Sequence, residues 1–262
     1  MAGMIELAME TARRAAEAGG RAALVHFRAG VAVERKADRS PVTAADRDAE
    51  NAIVEIVRGA FPTASILAEE SGAHAGDPSL KWIIDPLDGT RGFSRGGSFW
   101  GPLVALEHEG EIVAGAAALP ATGELYFAGR GRGCHRADGA PVRLSTITDW
   151  SESTLSLGEL PRLFASPQAN GVMTLLQTAA STRCYGDLAG ALLVLAGRAE
   201  TWLEAGVRPW DLAPFPILFA EAGAIFTDLT GTRTISTGTA IAATGPLHAH
   251  VLATLTAPPR SS

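Results

Sequence analysis

Trp82-Ile83-Ile84-Asp85-Pro86-Leu87-Asp88-Gly89-Thr90 is the stretch on which the reading of this chain turns. An apolar run of strand length delivers two carboxylates three residues apart, and a Gly-Thr pair then opens a helix. Pro86 biases Asp85 toward extended backbone and stiffens the turn. Both carboxylates and the Leu87 carbonyl can therefore converge on one point, an all-oxygen site suited to a hard cation such as Mg²⁺. The N–H groups of Gly89 and Thr90 at a helix start suit a phosphate beside that cation, so Asp88, Gly89 and Thr90 are the phosphate-binding candidates. The competing account is a plain strand-turn-helix in which Asp88 caps the helix. Covalent phosphoryl transfer through an aspartyl nucleophile is excluded, because that chemistry needs DxDGT and the DxxDGT spacing puts Pro86 where an Asp is required.

Upstream, Glu69-Glu70-Ser71-Gly72 ends the preceding apolar run at residues 65–68. Adjacent carboxylates repel one another unless solvent or a cation separates them. Downstream, Trp210-Asp211 follows Pro209 and opens a helix expected to end at Gly223. Asp211 is either the cap of that helix or the acid that completes a cation cage from the C-terminal half. Between Lys36 and Asp46, the segment KADRSPVTAAD reads as a polar loop leading into a capping box formed by Thr43 and Asp46.

The rest of the chain sets the frame. Its 262 residues are 47% hydrophobic and 19% charged, a composition that excludes a disordered tail or a fibre and predicts a real core. Twenty-eight acids against twenty-two bases leave a net charge of −6, which argues against nucleic acid or an anionic membrane as partner. The most apolar window, residues 188–197, is half of what a bilayer requires, and the first residues carry acids where a secretion signal needs bases. A cytoplasmic protein is expected. Cys134 and Cys184 form no CxxC, which argues against zinc, and the Gly96-Gly-Ser98-Phe-Trp100 segment fails the nucleophile-elbow pattern. Gly129, Gly131 and Gly133 lie between strand-like runs with no helix after them, so a hairpin is expected there, with Arg130, Arg132 and Arg136 along a solvated edge.

Apolar periodicity predicts a helix at 5–29 and a second that begins at the Thr43–Asp46 capping pattern and runs to about Ala60, strands at 65–68 and 81–84, and an antiparallel group at 103–107, 112–118 and 124–128. Beyond a soft boundary near residue 145, strands at 153–157, 181–184, 199–203 and 224–227 alternate with helices at 171–180, 187–196, 211–222 and from Pro246. The pattern is a layered α/β chain, divided here into an N-terminal half, 1–145, and a C-terminal half, 146–262.

Taken in order, Lys36-x-Asp38, Pro41-Val-Thr43-x-x-Asp46, Glu69-Glu70, Asp85-Pro-Leu-Asp88-Gly-Thr90 and Trp210-Asp211 resemble the inositol monophosphatase superfamily over residues 5–255. The resemblance implies the five-layer αβαβα sandwich shared with fructose-1,6-bisphosphatase, a homodimer, and Mg²⁺-dependent, lithium-inhibited hydrolysis of a phosphomonoester. It implies two or three Mg²⁺ ions, with Mn²⁺ as the alternative, held by Glu69, Glu70, Asp85, the Leu87 carbonyl, Asp88 and Asp211. Glu69, Thr90 and Asp46 become the catalytic group, and Lys36, Asp38 and Thr43 the loop that closes on the site. The segment from Arg183 to Asp187, with Pro209-Trp210-Asp211 downstream, is most similar to the bacterial histidinol-phosphate phosphatase branch, with Asp187 and Glu204 as substrate contacts. Two anions facing the leaving group favour a cationic alcohol such as L-histidinol, made in histidine biosynthesis. The alternatives are an inositol-1-phosphate or other sugar-phosphate phosphatase and, from a different class, a catalytically silent Mg²⁺-dependent binder of phosphorylated metabolites.

Overall fold

The computed structural model describes residues 1–29, the backbone of 33–35 and 41–43, and residues 44–257. The first part of the chain runs through α1 (Ala2–Ala29), β1 (Val33–Arg35), β2 (Pro41–Thr43), α2 (Ala44–Ala60), β3 (Ala64–Ala68), β4 (Gly72–His74), β5 (Asp77–Asp88) and α3 (Thr90–Phe93). A meander follows: β6 (Gly101–His108), β7 (Glu111–Leu119), β8 (Glu124–Gly129) and β9 (Gly133–Arg136). The second part contains β10 (Thr154–Leu157), α4 (Leu160–Phe164), α5 (Ala169–Thr178), β11 (Ser181–Arg183), α6 (Asp187–Leu195) and β12 (Thr201–Ala205). It closes with α7 (Pro209–Leu212), α8 (Phe215–Ala222), β13 (Ile225–Thr227), β14 (Thr239–Ala243) and α9 (Gly245–Thr256).

Period-two burial sorts the strands into layers. On β7 and β8, Ala114, Ala116, Leu125 and Phe127 face α1 and α2, whose Ala8, Ala12, Ile53 and Val57 complete one core. The alternate residues, Ala117, Leu119, Tyr126 and Ala128, face α6 and α8. Those two helices are apolar nearly all round, because their far side packs on Trp202, Ala240 and Ala242 of the second sheet. Leu203, Ala205, Ile241 and Ala243 point the other way and bury α5 and α9 through Val172, Leu175, Val251 and Leu255. The result is αβαβα. The first sheet has the order β4-β3-β5-β6-β7-β8-β9, with β3 parallel to β5; the second is β11-β10-β12-β14-β13. Among the described residues, no helix is long and apolar enough to cross a membrane.

Several expected elements change. The strand at 81–84 extends over Asp77–Asp88, since β6 supplies a continuous antiparallel partner from Leu80 to Asp85. The helix expected at 211–222 is two, α7 and α8, because Pro214 and Pro216 both lack the N–H that a continuous ladder needs. The strand expected at 199–203 is shifted to Thr201–Ala205, and β4, β9 and β14 are additions. The arginines of the β8–β9 hairpin are exposed and ion-paired: Arg130 with Glu111 at 2.7 Å, Arg132 with Glu6 at 3.1 Å and Arg136 with Asp138 at 3.2 Å.

Candidate active site

In a regular strand, residues three apart point to opposite faces. Asp85 and Asp88 would then diverge. In β5 they do not, because three steps from Asp85 to Asp88 are matched by only two on β6, from Leu103 to Gly101. This bulge lies at Pro86, which cannot donate to the ladder, and the extra residue turns Asp88 back to the side of Asp85. The Asp85 carboxylate accepts the Leu87 N–H at 2.9 Å, which fixes the turn. Gly89 follows with φ of +83°, and a Cβ there would lie 2.7 Å from the Phe99 carbonyl oxygen, so the sharp exit into α3 requires glycine. Asp88 does not cap α3; its carboxylate accepts the Leu188 N–H of α6 at 2.5 Å.

Asp211 arrives from the other half of the chain. In the single turn of α7 its carboxylate accepts the Arg208 N–H at 2.7 Å, which fixes it at the helix start. Among the described residues, Asp85, Asp88 and Asp211 each offer an oxygen within 4.8 Å of the others. Asp85 is 1% exposed, and burial pushes its carboxyl well above the ordinary range, with Glu69, Asp88 and Asp211 adding repulsion. Asp88 is raised in the same way by burial and then by Asp187 and Asp211. Asp211 is pushed up to about 6 by burial; the Arg208 N–H opposes the rise and Glu69 adds to it. Three converging acids that resist ionisation form a cage of hard oxygen donors, and a divalent cation is the partner that would make their charge favourable.

Glu69 is one step outside this trio. It begins the turn after β3, its N–H donating to the Ile84 carbonyl at 3.1 Å, and its charge acts on Asp85 and Asp211. The turn is held by a residue that no motif singled out. Glu50 of α2, 5% exposed, accepts the N–H groups of Glu70 and Ser71, each at 2.9 Å. The available signal was periodicity, since Glu50 shares a buried helical face with Asp46, Ala49, Ile53 and Val57.

Asp46, fully buried in the first turn of α2, faces Thr90. The Thr90 hydroxyl lies 3.2 Å from an Asp46 oxygen and 2.9 Å from the Leu87 carbonyl. One proton serves one acceptor at a time, so this hydroxyl can switch between them. Lys36 and Asp38 lie outside the described residues, and of Thr43 only the backbone is described, as the last residue of β2.

On the opposite rim, Asp187 and Glu204 are brought to the same side as Asp88, and both raise its carboxyl pKa. Glu204 of β12 is 1% exposed and is held well above the usual carboxylate range by burial, the Ala205 N–H opposing and Asp187 reinforcing. Phe99 and Tyr185, both exposed, meet beside this rim with ring centroids 5.0 Å apart.

Comparison with known proteins bears on this geometry. The model of the inositol monophosphatase family matches residues 4–259. The chain is 38% identical over 235 residues to a histidinol-phosphatase of Chlorobaculum parvum, covering 89% of each chain. It is 34% identical over 235 residues to the Nus factor SuhB of Salmonella typhimurium, covering 87% of this chain and 86% of that one. Among solved structures, the inositol monophosphatase from Anabaena superposes with a TM-score of 0.83 at 30% identity, covering 96% of both chains.

Proposed function

The chain belongs to the inositol monophosphatase family and is a phosphatase, and from that premise we propose that it is a Mg²⁺-dependent phosphomonoesterase acting on L-histidinol phosphate. The observation that carries the reading is the convergence of Asp85, Asp88 and Asp211 from two distant stretches of chain. With Glu69, Glu70 and the Leu87 carbonyl, these residues would hold two or three ions. The all-oxygen donor set fits Mg²⁺, with Mn²⁺ the alternative. Bound there, the metal supplies Lewis-acid polarisation of the phosphoryl group, an acidified water and charge to stabilise the leaving alkoxide.

The residues do the positioning. When the Thr90 hydroxyl donates to Asp46, its lone pairs and the Leu87 carbonyl are turned toward the attacking water. Glu69, whose charge reaches Asp85 and Asp211, would accept the water's proton. The N–H groups of Gly89 and Thr90, with Asp88, receive the phosphate, and the family resemblance is what assigns Lys36, Asp38 and Thr43 to the same site. Phosphoryl transfer depends mainly on such alignment and charge placement, so no basic side chain is needed as nucleophile.

The alcohol is assigned from the rim. Asp187 and Glu204 favour a cationic leaving group, and the exposed Phe99–Tyr185 pair offers faces for an imidazole ring. The name of the Chlorobaculum parvum relative supports the same substrate. A neutral inositol phosphate is the second reading, favoured by the likeness to the Anabaena enzyme. The same proposal has halves 1–145 and 146–262 in a cytoplasmic homodimer serving histidine biosynthesis. Phosphate release from L-histidinol phosphate and myo-inositol 1-phosphate at equal concentration, with and without Mg²⁺, decides. The expected result is faster, Mg²⁺-dependent release from the first. Preference for inositol phosphate selects the second reading, and metal-dependent binding without turnover of either marks a silent binder.

A further inference from the structure

Among the described residues, the non-glycine residues with positive φ are Glu109, Glu159 and Asp187. Glu109 sits in an ordinary hairpin turn before Gly110. The other two are acids on the active-site rim: Glu159, at φ of +43°, leads into α4, and Asp187, at +48°, opens α6. A left-handed backbone costs a side-chain-bearing residue energy, and such strain persists where the surroundings impose it. Glu159 is exposed, whereas the Asp187 carboxyl is pushed up to about 6 first by burial and then by the charge of Glu159, with Arg91 opposing.

The carboxylate of Glu204 is buried within reach of both charges. Gly158, the residue before Glu159, packs so closely on this group that a Cβ would overlap the Glu204 side chain. The Glu204 Oε2 atom is fully buried with no hydrogen bond of ordinary geometry, the Trp202 indole N–H being the donor that acts on this carboxylate, and the carboxylate feels the charges of both Asp187 and Glu159. A buried, unsatisfied carboxylate oxygen is costly unless a donor arrives from outside. A Cβ built on Gly186, the residue before Asp187, would come within 3.6 Å of the Gly158 Cα, so the two strained acids follow neighbouring glycines.

We infer that Glu159, which no sequence motif marks, is a specificity-determining residue: with Asp187 and Glu204 it forms a three-carboxylate cradle for an ammonium group on the alcohol half of the substrate. The inference rests on the cationic-ester reading above and assigns that ester's amine to a particular receptor. Glu159 supplies the solvent-side wall, and Glu204 supplies an acceptor at the floor.

The test compares L-histidinol phosphate with the same imidazolylpropyl phosphate lacking the amino group, at pH 8 with Mg²⁺, in wild type, Glu159→Gln and Glu159→Gly. The expected result is a wild-type preference in kcat/KM for the amine-bearing ester. That preference falls about fivefold in both variants, the upper end of what one exposed ion pair contributes. The wild-type preference also weakens with added salt, more steeply than in the variants, a response that a purely structural role would not produce. Glu159→Gly keeps the test decisive if Gln is poorly accommodated, since glycine suits the observed φ. A wild-type preference that survives undiminished in both variants overturns the role of Glu159 and leaves the substrate reading standing. Absence of any wild-type preference overturns the substrate reading and the inference together.

Discussion

Asp85 sums the electrostatics of this site in one side chain: it is buried, its carboxyl is raised by burial and by Glu69, Asp88 and Asp211, and the Leu87 N–H at 2.9 Å opposes the rise. Asp85→Asn is expected to keep the fold while lowering Mg²⁺-dependent phosphate release by more than about a hundredfold. It is also expected to raise the melting temperature in EDTA, because a repelled acid is gone, and to abolish any further rise on adding Mg²⁺. Near-normal turnover of the variant rules out Asp85 as a metal ligand. Glu50 makes a different prediction. It touches the Glu69–Glu70 turn only through two backbone N–H groups, so Glu50→Gln loosens ligand placement without removing a ligand. The Mg²⁺ concentration for half-maximal rate is expected to rise about tenfold to a hundredfold, while a saturating dose restores most of kcat. Unchanged Mg²⁺ dependence would show that this turn plays no part in metal binding.

Strand β5 with its bulge is the element that makes two spaced carboxylates into neighbours. The DxxDGT spacing was readable as a converging pair, but the means of convergence was not, since a bulge exists only relative to the partner strand β6. The exit of that element depends on Gly89. Gly89→Ala forces a side chain into the left-handed region and against the Phe99 carbonyl. A loss of about 1–2 kcal/mol in urea unfolding is expected from the backbone term alone, and the phosphate-release rate falls with it as the Gly89 and Thr90 N–H groups turn away. Helices α7 and α8 give the opposite lesson. Periodicity continued across residues 211–222, yet Pro214 and Pro216 were present in the sequence as reasons to divide it.

Across the molecule, two sheets share helices α6 and α8 as a common middle layer, which delivers Asp88 and the α6 N-terminus to each other. Stability at this level should carry a pH signature from His248, 6% exposed in α9 and hydrogen-bonded to the Thr227 hydroxyl at 2.8 Å. Burial, with help from Arg233, lowers its pKa below 6.5. Below that pH the unfolded chain binds a proton that the folded chain resists, so stability is present above it and is lost as pH falls. The raised carboxyls of the site act alike in both proteins, so between pH 7.5 and 5.5 the urea midpoint of wild type is expected to fall relative to that of His248→Gln. Equal slopes for the two proteins refute the assignment.

The sequence alone carried the layered α/β architecture, through its hydrophobic period, and the reaction class and the acids assigned to the centre, through ordered motifs that resemble a known family, because period and motif spacing are local properties of the chain. Asp46, Glu69, Asp85, Asp88, Thr90 and Asp211 could all be named before any contact was known. Tertiary structure alone decided that Glu50 braces the Glu69 turn, that Asp88 receives the α6 N-terminus, and that Glu159 rises beside Asp187 over a buried Glu204. These depend on residues 20 to 100 positions apart meeting through packed layers, and a one-dimensional pattern does not record which distant backbone N–H a carboxylate will find.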